Sequence, residues 1–249
     1  MSLRETLNAI LSALIAPPCA VCGCVLDAPL DGAVCGSCWD AIVPRASCFQ
    51  LHTITNAQAI GPYDGTLRDV VHALKYHGRR SIAPRLAAIM ATQGRDLLTG
   101  VDLVVPVPLH PRRQRERGFN QAEELARHLG VPMVRALKRV KATRPQVDLP
   151  AEQRRENVRD AFAIQGMFGR SNHGRPNRDR SGRRRQDSGG PPKPDAGAED
   201  RPLQGYVVVL VDDVATTGAT LEACARVLKV AGAVDVRALT AARVVSGPR

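Results

Sequence analysis

The sequence predicts an α/β fold built on a doubly wound parallel sheet, with a small cysteine-rich module ahead of it. Two segments each run from an apolar strand through a polar loop into a helix, and such alternation is typical of parallel sheets covered on both faces. Four cysteines at metal-binding spacing predict the separate module. The 249 residues are enough for one α/β domain and a small appendage.

An amphipathic helix is predicted at the start of residues 1–52, which we assign to the N-terminal module. Pro17 and Pro18 end its apolar stretch well short of the thickness of a bilayer. Because Arg4 and Glu5 cancel and no convincing cleavage site follows, the segment does not resemble a signal peptide. We therefore expect a cytoplasmic protein without membrane insertion. The apolar face consists of Leu3, Leu7, Ile10, Leu11 and Leu14.

Five of the seven cysteines lie within residues 19–38, and clustered thiols without a secretion signal more often bind metal than form disulfides. Two Cys-x2-Cys pairs can surround one tetrahedral Zn²⁺ at sulfur–metal distances of about 2.3 Å, although ordinary buried thiols are the alternative. Cys24 is a spare thiol that could compete with Cys22, and Cys48 with His52 is an incomplete set for a second site. The predicted ligands of a structural zinc ion are Cys19, Cys22, Cys35 and Cys38.

Residues 60–249 read as the main domain. An apolar stripe ending at Leu74 predicts one helix, and residues 103–105 predict a strand that is followed by a basic loop and a helix beginning near Asn120. Residues 166–202 interrupt this pattern with Gly, Pro, Arg and Asp. Because they have too few apolar side chains to offset the entropy of ordering, we predict a disordered insertion there.

The most specific pattern covers residues 207–220. Five apolar residues, 207–211, suit a buried parallel strand, and Asp212 and Asp213 follow at its carboxyl end, where ligands of such sheets bind. Two adjacent carboxylates can accept hydrogen bonds from the 2′- and 3′-hydroxyls of a ribose. The small residues of 216–220 lead into a helix whose first N–H groups can hold a phosphate. These features together predict a site for a ribose 5-phosphate.

The charge of the chain agrees with an anionic ligand. A net charge of +11 and a pI near 9.9 favour polyanionic partners such as nucleic acid or phosphorylated small molecules. Aromatic residues make up only 3%, which argues against a protein that binds single strands mainly by stacking bases on aromatic side chains.

The ordered motifs resemble those of the ComF-like family, which is related to type I phosphoribosyltransferases, over nearly the whole chain outside residues 166–202. The resemblance implies a type I phosphoribosyltransferase-like sheet, an N-terminal zinc ribbon and a loop for 5-phosphoribosyl-1-diphosphate (PRPP). The motifs in chain order are the two Cys-x2-Cys pairs, 63–68, 74–78, 105–108, 117–122, Gln146, Arg155, Asn157, Phe162 and 207–220.

The same resemblance implies roles for single residues. Asp212 and Asp213 would be the catalytic acidic pair on the ribose hydroxyls, the turn at Val107 would lie against the diphosphate, and Arg117 and Lys75 would bind the ligand. Mg²⁺ would accompany PRPP, held mainly by ligand oxygens and water. The 5-phosphate would lie on Ala215, Thr216, Thr217, Gly218, Ala219 and Thr220.

Several of these residues have a structural alternative. Arg112, Arg113 and Arg115 are either diphosphate ligands or a solvated basic loop. Asn120 suits a helix cap, and Lys75 either faces the ligand or simply ends a helix.

Three functions remain open from the sequence. The first is a phosphoribosyltransferase that transfers a phosphoribosyl group to an unknown acceptor. The second, implied by the resemblance, is a non-catalytic competence protein that supports DNA uptake and natural transformation through single-stranded DNA and protein partners. The third is a zinc-ribbon nucleic-acid binder whose other domain is a scaffold.

Overall fold

A five-stranded sheet forms the centre of the molecule, and the computed structural model describes residues 2–76, 78–140, 160–165 and 201–245 around it. Its strand order is β1-β2-β7-β6-β3, with β1 antiparallel to β2 and the other neighbours parallel. A second, two-stranded antiparallel sheet pairs β4 with β5. The strands are β1 (Ser47–Phe49), β2 (Ala57–Ala59), β3 (Leu103–Pro106), β4 (Leu137–Arg139), β5 (Phe162–Ile164), β6 (Val207–Ala215) and β7 (Asp235–Arg243).

Helices cover both faces of the five-stranded sheet. The helices of the described residues are α1 (Leu3–Ile15), α2 (Gly36–Asp40), α3 (Gly65–Tyr76), α4 (Ala83–Gln93), α5 (Arg95–Leu98), α6 (Pro111–Arg117), α7 (Gln121–Ala126) and α8 (Ala219–Val230). Buried side chains of α3, α4 and α7 share an apolar cluster with one face of the sheet, and those of α8 share a second cluster with the other face. The predicted α/β class, with a mainly parallel sheet between helices, is confirmed.

β6 is longer than the predicted strand of residues 207–211. It continues to Ala215 because Val214 and Ala215 remain paired with the neighbouring strand, opposite Ala242 and Arg243 of β7. Asp212 and Asp213, expected just after the strand, are therefore part of it, and β7 fixes the direction of their backbone.

The predicted basic loop after β3 contains a helix, α6. Pro111 occupies its first turn, His110 caps it by accepting from the N–H of Arg112, and Gly118 ends it with φ +75°. The next helix, α7, begins where it was expected, with Asn120 as its cap. The run of charged residues after β3 therefore contains a short helix, which begins at Pro111 and ends before Gly118 and which the sequence analysis did not predict.

The N-terminal helix α1 forms as predicted and begins with a capping box between Ser2 and Glu5. Leu3 and Leu14 on its apolar face are 80% exposed. None of the helices within the described ranges is long and apolar enough to cross a membrane. Gln146, Arg155, Asn157 and residues 166–200, which carry part of the family resemblance and the predicted insertion, lie outside the described residues.

Candidate functional site

The candidate site lies at the carboxyl edge of the parallel strands. β3 pairs with β6 as far as Pro106 opposite Val211, and the N–H of Val107 adds a 2.9 Å hydrogen bond to Val211 O. β6 then runs on beside β7 to Ala215. The turn after β3 and the last third of β6 therefore meet at the edge where ligands of such sheets bind.

Asp213 and Lys75 form a nearly buried ion pair at this edge. Lys75 Nζ, in the last turn of α3, lies 3.0 Å from Asp213 Oδ1, and the two side chains are 14% and 12% exposed. Burial alone would lower the pKa of Lys75, but the charge and hydrogen bond of Asp213, with smaller contributions from Asp212 and Tyr63, together hold this pKa above its usual value. Lys75 thus lies in the last turn of α3 and contacts the acidic pair, a contact that the sequence alone did not reveal.

Asp212 has a different environment from its neighbour. Adjacent side chains of a strand alternate between faces, so Asp212 is directed toward the α8 side of the sheet, where Cys224 and Arg139 are within electrostatic reach. Its Oδ1 accepts a 2.9 Å hydrogen bond from the N–H of Asp213. Burial, and then the Asp213 carboxylate, raise the pKa of Asp212 to about 7. One carboxylate of the pair is thus neutralised by a lysine, whereas the other is poised to take up or release a proton near neutral pH.

Gly218 ends the loop between β6 and α8. Its φ of +76° is a left-handed conformation that favours glycine. A Cβ at this position would lie 2.5 Å from Leu51 Cδ2, so a larger residue would also force the Leu51 side chain to shift. Gly218 has no side chain with which to cap α8, and the N–H of Ala219 makes only a long hydrogen bond, of 3.4 Å, to Thr217 Oγ1. The first N–H groups of this twelve-residue helix are therefore suited to an anion.

The segment that follows β1 also shapes the loop, which sequence reasoning missed. The N–H and Oγ1 of Thr53 both donate to Glu222 Oε1, at 2.8 and 2.6 Å, although the two residues are 169 positions apart. Glu222 lies in the first turn of α8, so this anchor and Leu51 together fix where the helix begins. A cavity of about 250 Å³ lies between Leu51 and the start of α8. No local sequence signal could have revealed a contact of this range.

The turn at Val107 is held by Asn120. The side-chain amide of Asn120 donates to Val107 O at 3.0 Å, while its Oδ1 accepts from the N–H of Ala122 at 3.1 Å. The expected helix cap is therefore present, and the same side chain fixes the backbone of the turn.

Arg117 and Arg112 behave differently although both lie on α6. The guanidinium of Arg117 lies over the Tyr76 ring, 5.1 Å from its centroid, and α3 ends at this tyrosine directly after Lys75. Arg112 instead pairs with Glu116 on the exposed face of α6, at 2.9 Å. The structure thus brings Arg117 close to the end of α3, and it places Arg112 in the solvated pairing that was its alternative.

The four predicted metal ligands cluster in the N-terminal module. The Sγ atoms of Cys19, Cys22, Cys35 and Cys38 all lie within 4.8 Å of one another. The Cys22–Cys35 distance is 3.7 Å and the Cys19–Cys38 distance is 4.0 Å. A tetrahedral ion with sulfur ligands at about 2.3 Å has edges of about 3.8 Å, so these thiols fit one ion. A hydrogen bond from the backbone N–H of Cys38 is the largest influence on Cys35 and lowers its pKa to about 6.

Comparison with known proteins identifies relatives that match most of the sequence of this chain. DNA utilization protein YhgH of Salmonella typhimurium (strain LT2) is 30% identical over 190 residues, which cover 72% of this chain and 68% of that protein. Competence protein F of Haemophilus influenzae is 28% identical over 243 residues, which cover 91% and 85%. YhgH of Escherichia coli (strain K12) is 28% identical over 188 residues, covering 72% and 67%. No family model matches the chain.

Among solved structures, purine phosphoribosyltransferase from Pyrococcus horikoshii matches 66% of this chain and 90% of its own, with 16% identity and a TM-score of 0.30. The sequence relatives carry the assignment, because the identity to YhgH extends over more than two thirds of both proteins. The chain belongs to the ComF-like family, which includes competence protein F and DNA utilization protein YhgH.

Proposed function

We propose that the chain binds PRPP, or a related ribose 5-phosphate, at the carboxyl edge of the sheet and transfers the phosphoribosyl group to an acceptor yet to be identified. The observation that carries this proposal is the order of groups along β6 and α8, which is a carboxylate pair, a short loop of small residues and then a helix N-terminus whose cap residue, Gly218, has no side chain. A ribose 5-phosphate has the complementary order, hydroxyl donors at one end and a phosphate dianion at the other.

The phosphate would lie against the loop that ends at Gly218. The first N–H groups of α8 would donate to its oxygens, with the helix dipole adding to the attraction. The hydroxyls of Thr216, Thr217 and Thr220 would add side-chain contacts. Leu51 and the Thr53–Glu222 anchor support this role because they hold the loop in place before a ligand arrives.

The ribose hydroxyls would donate to the acidic pair near the end of β6, where Asp212 and Asp213 leave the strand on opposite faces. The ion pair with Lys75 holds the Asp213 side chain in place as a hydrogen-bond acceptor. Hydrogen bonds to Asp212 would favour its charged form, so ligand binding is expected to release its proton near pH 7.

The diphosphate would lie toward the turn at Val107, with Arg117 as the nearest candidate to stabilise it as it leaves. Carboxylate oxygens such as those of Asp212 and Asp213 suit Mg²⁺, which would neutralise charge on the diphosphate when bound with PRPP. The chain's own contribution is to hold the sugar by its phosphate and its hydroxyls, so that C1 faces the acceptor.

A thermal unfolding titration with Mg²⁺ and PRPP tests the proposal. At about 100 times its Kd, a ligand stabilises the folded state by about 2.7 kcal/mol, so we expect a clear rise in Tm. Asp212→Asn combined with Asp213→Asn should abolish the rise. Asp235→Asn is the matched control, because Asp235 lies at the amino end of β7, far along the strand from the site. Absence of a rise in the parent chain at millimolar PRPP contradicts the proposal.

The names of the relatives favour a second candidate function. The chain would support DNA uptake or DNA use without catalysis, through single-stranded DNA and protein partners, and its net charge of +11 suits such a role.

An acceptor screen that measures diphosphate release separates the two candidates. Binding of PRPP without release from any nucleobase or amine acceptor supports the second. DNA binding that survives the double Asp substitution but not chelation supports a zinc-ribbon binder instead.

The cysteine cluster would hold a structural Zn²⁺. This assignment is supported by the four clustered thiols and the two sulfur–sulfur distances, which match the edges of a tetrahedral site. A bound ion would join the turn at Cys19 to α2 and thereby complete the module.

A further inference from the structure

A fifth thiol lies beside the cysteine cluster. Cys24 Sγ is 3.3 Å from Cys22 Sγ, closer than the distances of 3.7 and 4.0 Å measured between the clustered thiols. Both Cys22 and Cys24 are exposed, whereas Cys19 and Cys38 are buried. The pair therefore combines contact between two sulfur atoms with access from solvent.

The backbone holds the two thiols together. The N–H of Cys19 donates to Cys24 O at 2.7 Å, and the N–H of Gly23 donates to Cys19 O at 3.0 Å, which closes a tight turn. Gly23 lies between the two cysteines with φ +76°, and this conformation turns both side chains to one side. The contact between the sulfur atoms is thus a property of the turn.

Cys24 is poorly placed to be a simultaneous fifth ligand. A structural zinc site takes four ligands, and two sulfurs on one tetrahedral ion lie about 3.8 Å apart. The 3.3 Å contact is shorter than this edge and suits a thiol that touches a ligand sulfur. A disulfide would need the two sulfurs to approach by only about 1.3 Å, to the usual 2.05 Å.

We propose that Cys22 and Cys24 form an oxidation site at which a hydroperoxide produces a disulfide that removes Cys22 from the metal ligands. The disulfide itself needs only the two thiols, whereas the loss of metal rests on the zinc assignment above. No part of the proposal depends on PRPP.

The chemistry balances with the hydroperoxide as the oxidant. The Cys22 thiolate attacks one peroxide oxygen, a sulfur–oxygen bond forms, the oxygen–oxygen bond breaks, and the leaving oxygen takes a proton to become an alcohol or water. Cys24 sulfur then attacks Cys22 sulfur, the sulfur–oxygen bond breaks, and hydroxide leaves as water with the proton from Cys24. Two thiols lose two electrons in all, and the hydroperoxide gains them.

The consequence for the metal follows from the ligand count. Once Cys22 is in a disulfide, three thiols remain, and a structural zinc site needs four ligands. Zinc bound to the reduced chain would be released, and Cys19 and Cys38 would lose the ion between them.

The experiment treats the full, reduced chain with hydrogen peroxide and follows two signals. A chromogenic chelator measures zinc release, and peptide mapping with mass measurement locates any disulfide and its loss of two hydrogens. Zinc content before oxidation is measured separately, so that failure of the zinc assignment is recognised independently of the disulfide.

We expect a Cys22–Cys24 disulfide whose formation keeps pace with zinc release. In Cys24→Ser the chain should keep its zinc before oxidation, form no such disulfide and release zinc at least about tenfold more slowly, because no neighbouring thiol displaces the ligand. Cys48→Ser is the matched control, since Cys48 is exposed but lies on β1, and it should behave as the parent.

Three results overturn the proposal. The first is that the disulfide links other cysteines or does not form. The second is that Cys24→Ser releases zinc as fast as the parent. The third is that Cys24→Ser fails to bind zinc while Cys22→Ser binds it, which would make Cys24 the ligand.

Discussion

The loop before α8 and the turn from Cys19 to Cys24 are both short segments with chemistry to perform, but they are held in different ways. The loop joins a buried strand to a buried helix, and Leu51 and Thr53 brace it from a distant part of the chain. The turn belongs to a small module in which four clustered thiols lie beside a few buried apolar side chains, among them Leu26 and Trp39. The comparison teaches that packing preforms the first site, whereas the second would be completed by the ion proposed above.

Metal removal tests this contrast with the largest expected effect. Structural zinc typically contributes more than about 10 kcal/mol to small modules. We expect chelation, or Cys35→Ser, to make the module sensitive to proteolysis while circular dichroism of the sheet and its helices changes little. Cys48→Ser should change neither signal. Full zinc content in Cys35→Ser, or an unchanged module after chelation, would contradict the assignment.

Removal of the lysine at the sheet site should be the next largest effect. Lys75→Met leaves Asp213 buried without its partner, which typically costs about 3–5 kcal/mol in the free energy of unfolding. Adding Asp213→Asn should recover much of the loss. Arg112→Met is the exposed control, because its pair with Glu116 should contribute less than about 1 kcal/mol. Equal effects of the two single substitutions, measured by urea unfolding, would mean that the Lys75 pair is not buried in solution.

The contact of Leu51 with the loop can be isolated by comparing two glycines. Gly218 and Gly130 have φ of +76° and +74°, but a Cβ on Gly130 meets nothing within 4 Å. Gly130→Ala should cost about 1 kcal/mol from backbone strain, and Gly218→Ala about 2–4 kcal/mol because it also meets Leu51. Leu51→Ala in the Gly218→Ala background should restore part of the difference. If the two glycine variants unfold at the same urea concentration, the loop does not pack on Leu51.

The smallest expected effect is the pH dependence of Asp212. Its folded pKa of about 7 lies above its ordinary value of 3.8, so between these values the folded chain holds a proton that the unfolded chain has released. Stability from this group is therefore lost as the pH rises from about 4 to 7 and is not regained above 7. Asp212→Asn should gain about 2 kcal/mol relative to the parent between pH 4.5 and pH 8, within the limit of about 1.4 kcal/mol per pKa unit. A stability difference that does not vary with pH would show that Asp212 is not buried as described.

The local patterns were predictable because each depends on residues close together in sequence. Cysteine spacing indicated the cluster, and apolar strand runs beside helical periodicity indicated the parallel sheet. The extension of β6 through Asp213 was not predictable, because it depends on pairing with β7. The contacts of Lys75 with Asp213 and of Thr53 with Glu222 were also hidden, since they join distant segments.

The order of strands in the sheet has a consequence for biosynthesis. β3 pairs with β6, and β2 gains its parallel neighbour only in β7. Both partners leave the ribosome after residue 200, so the two early strands wait through most of translation with open edges. Such edges attract other strands, and the sheet can be completed only when the last fifth of the chain has emerged and inserted between β2 and β3.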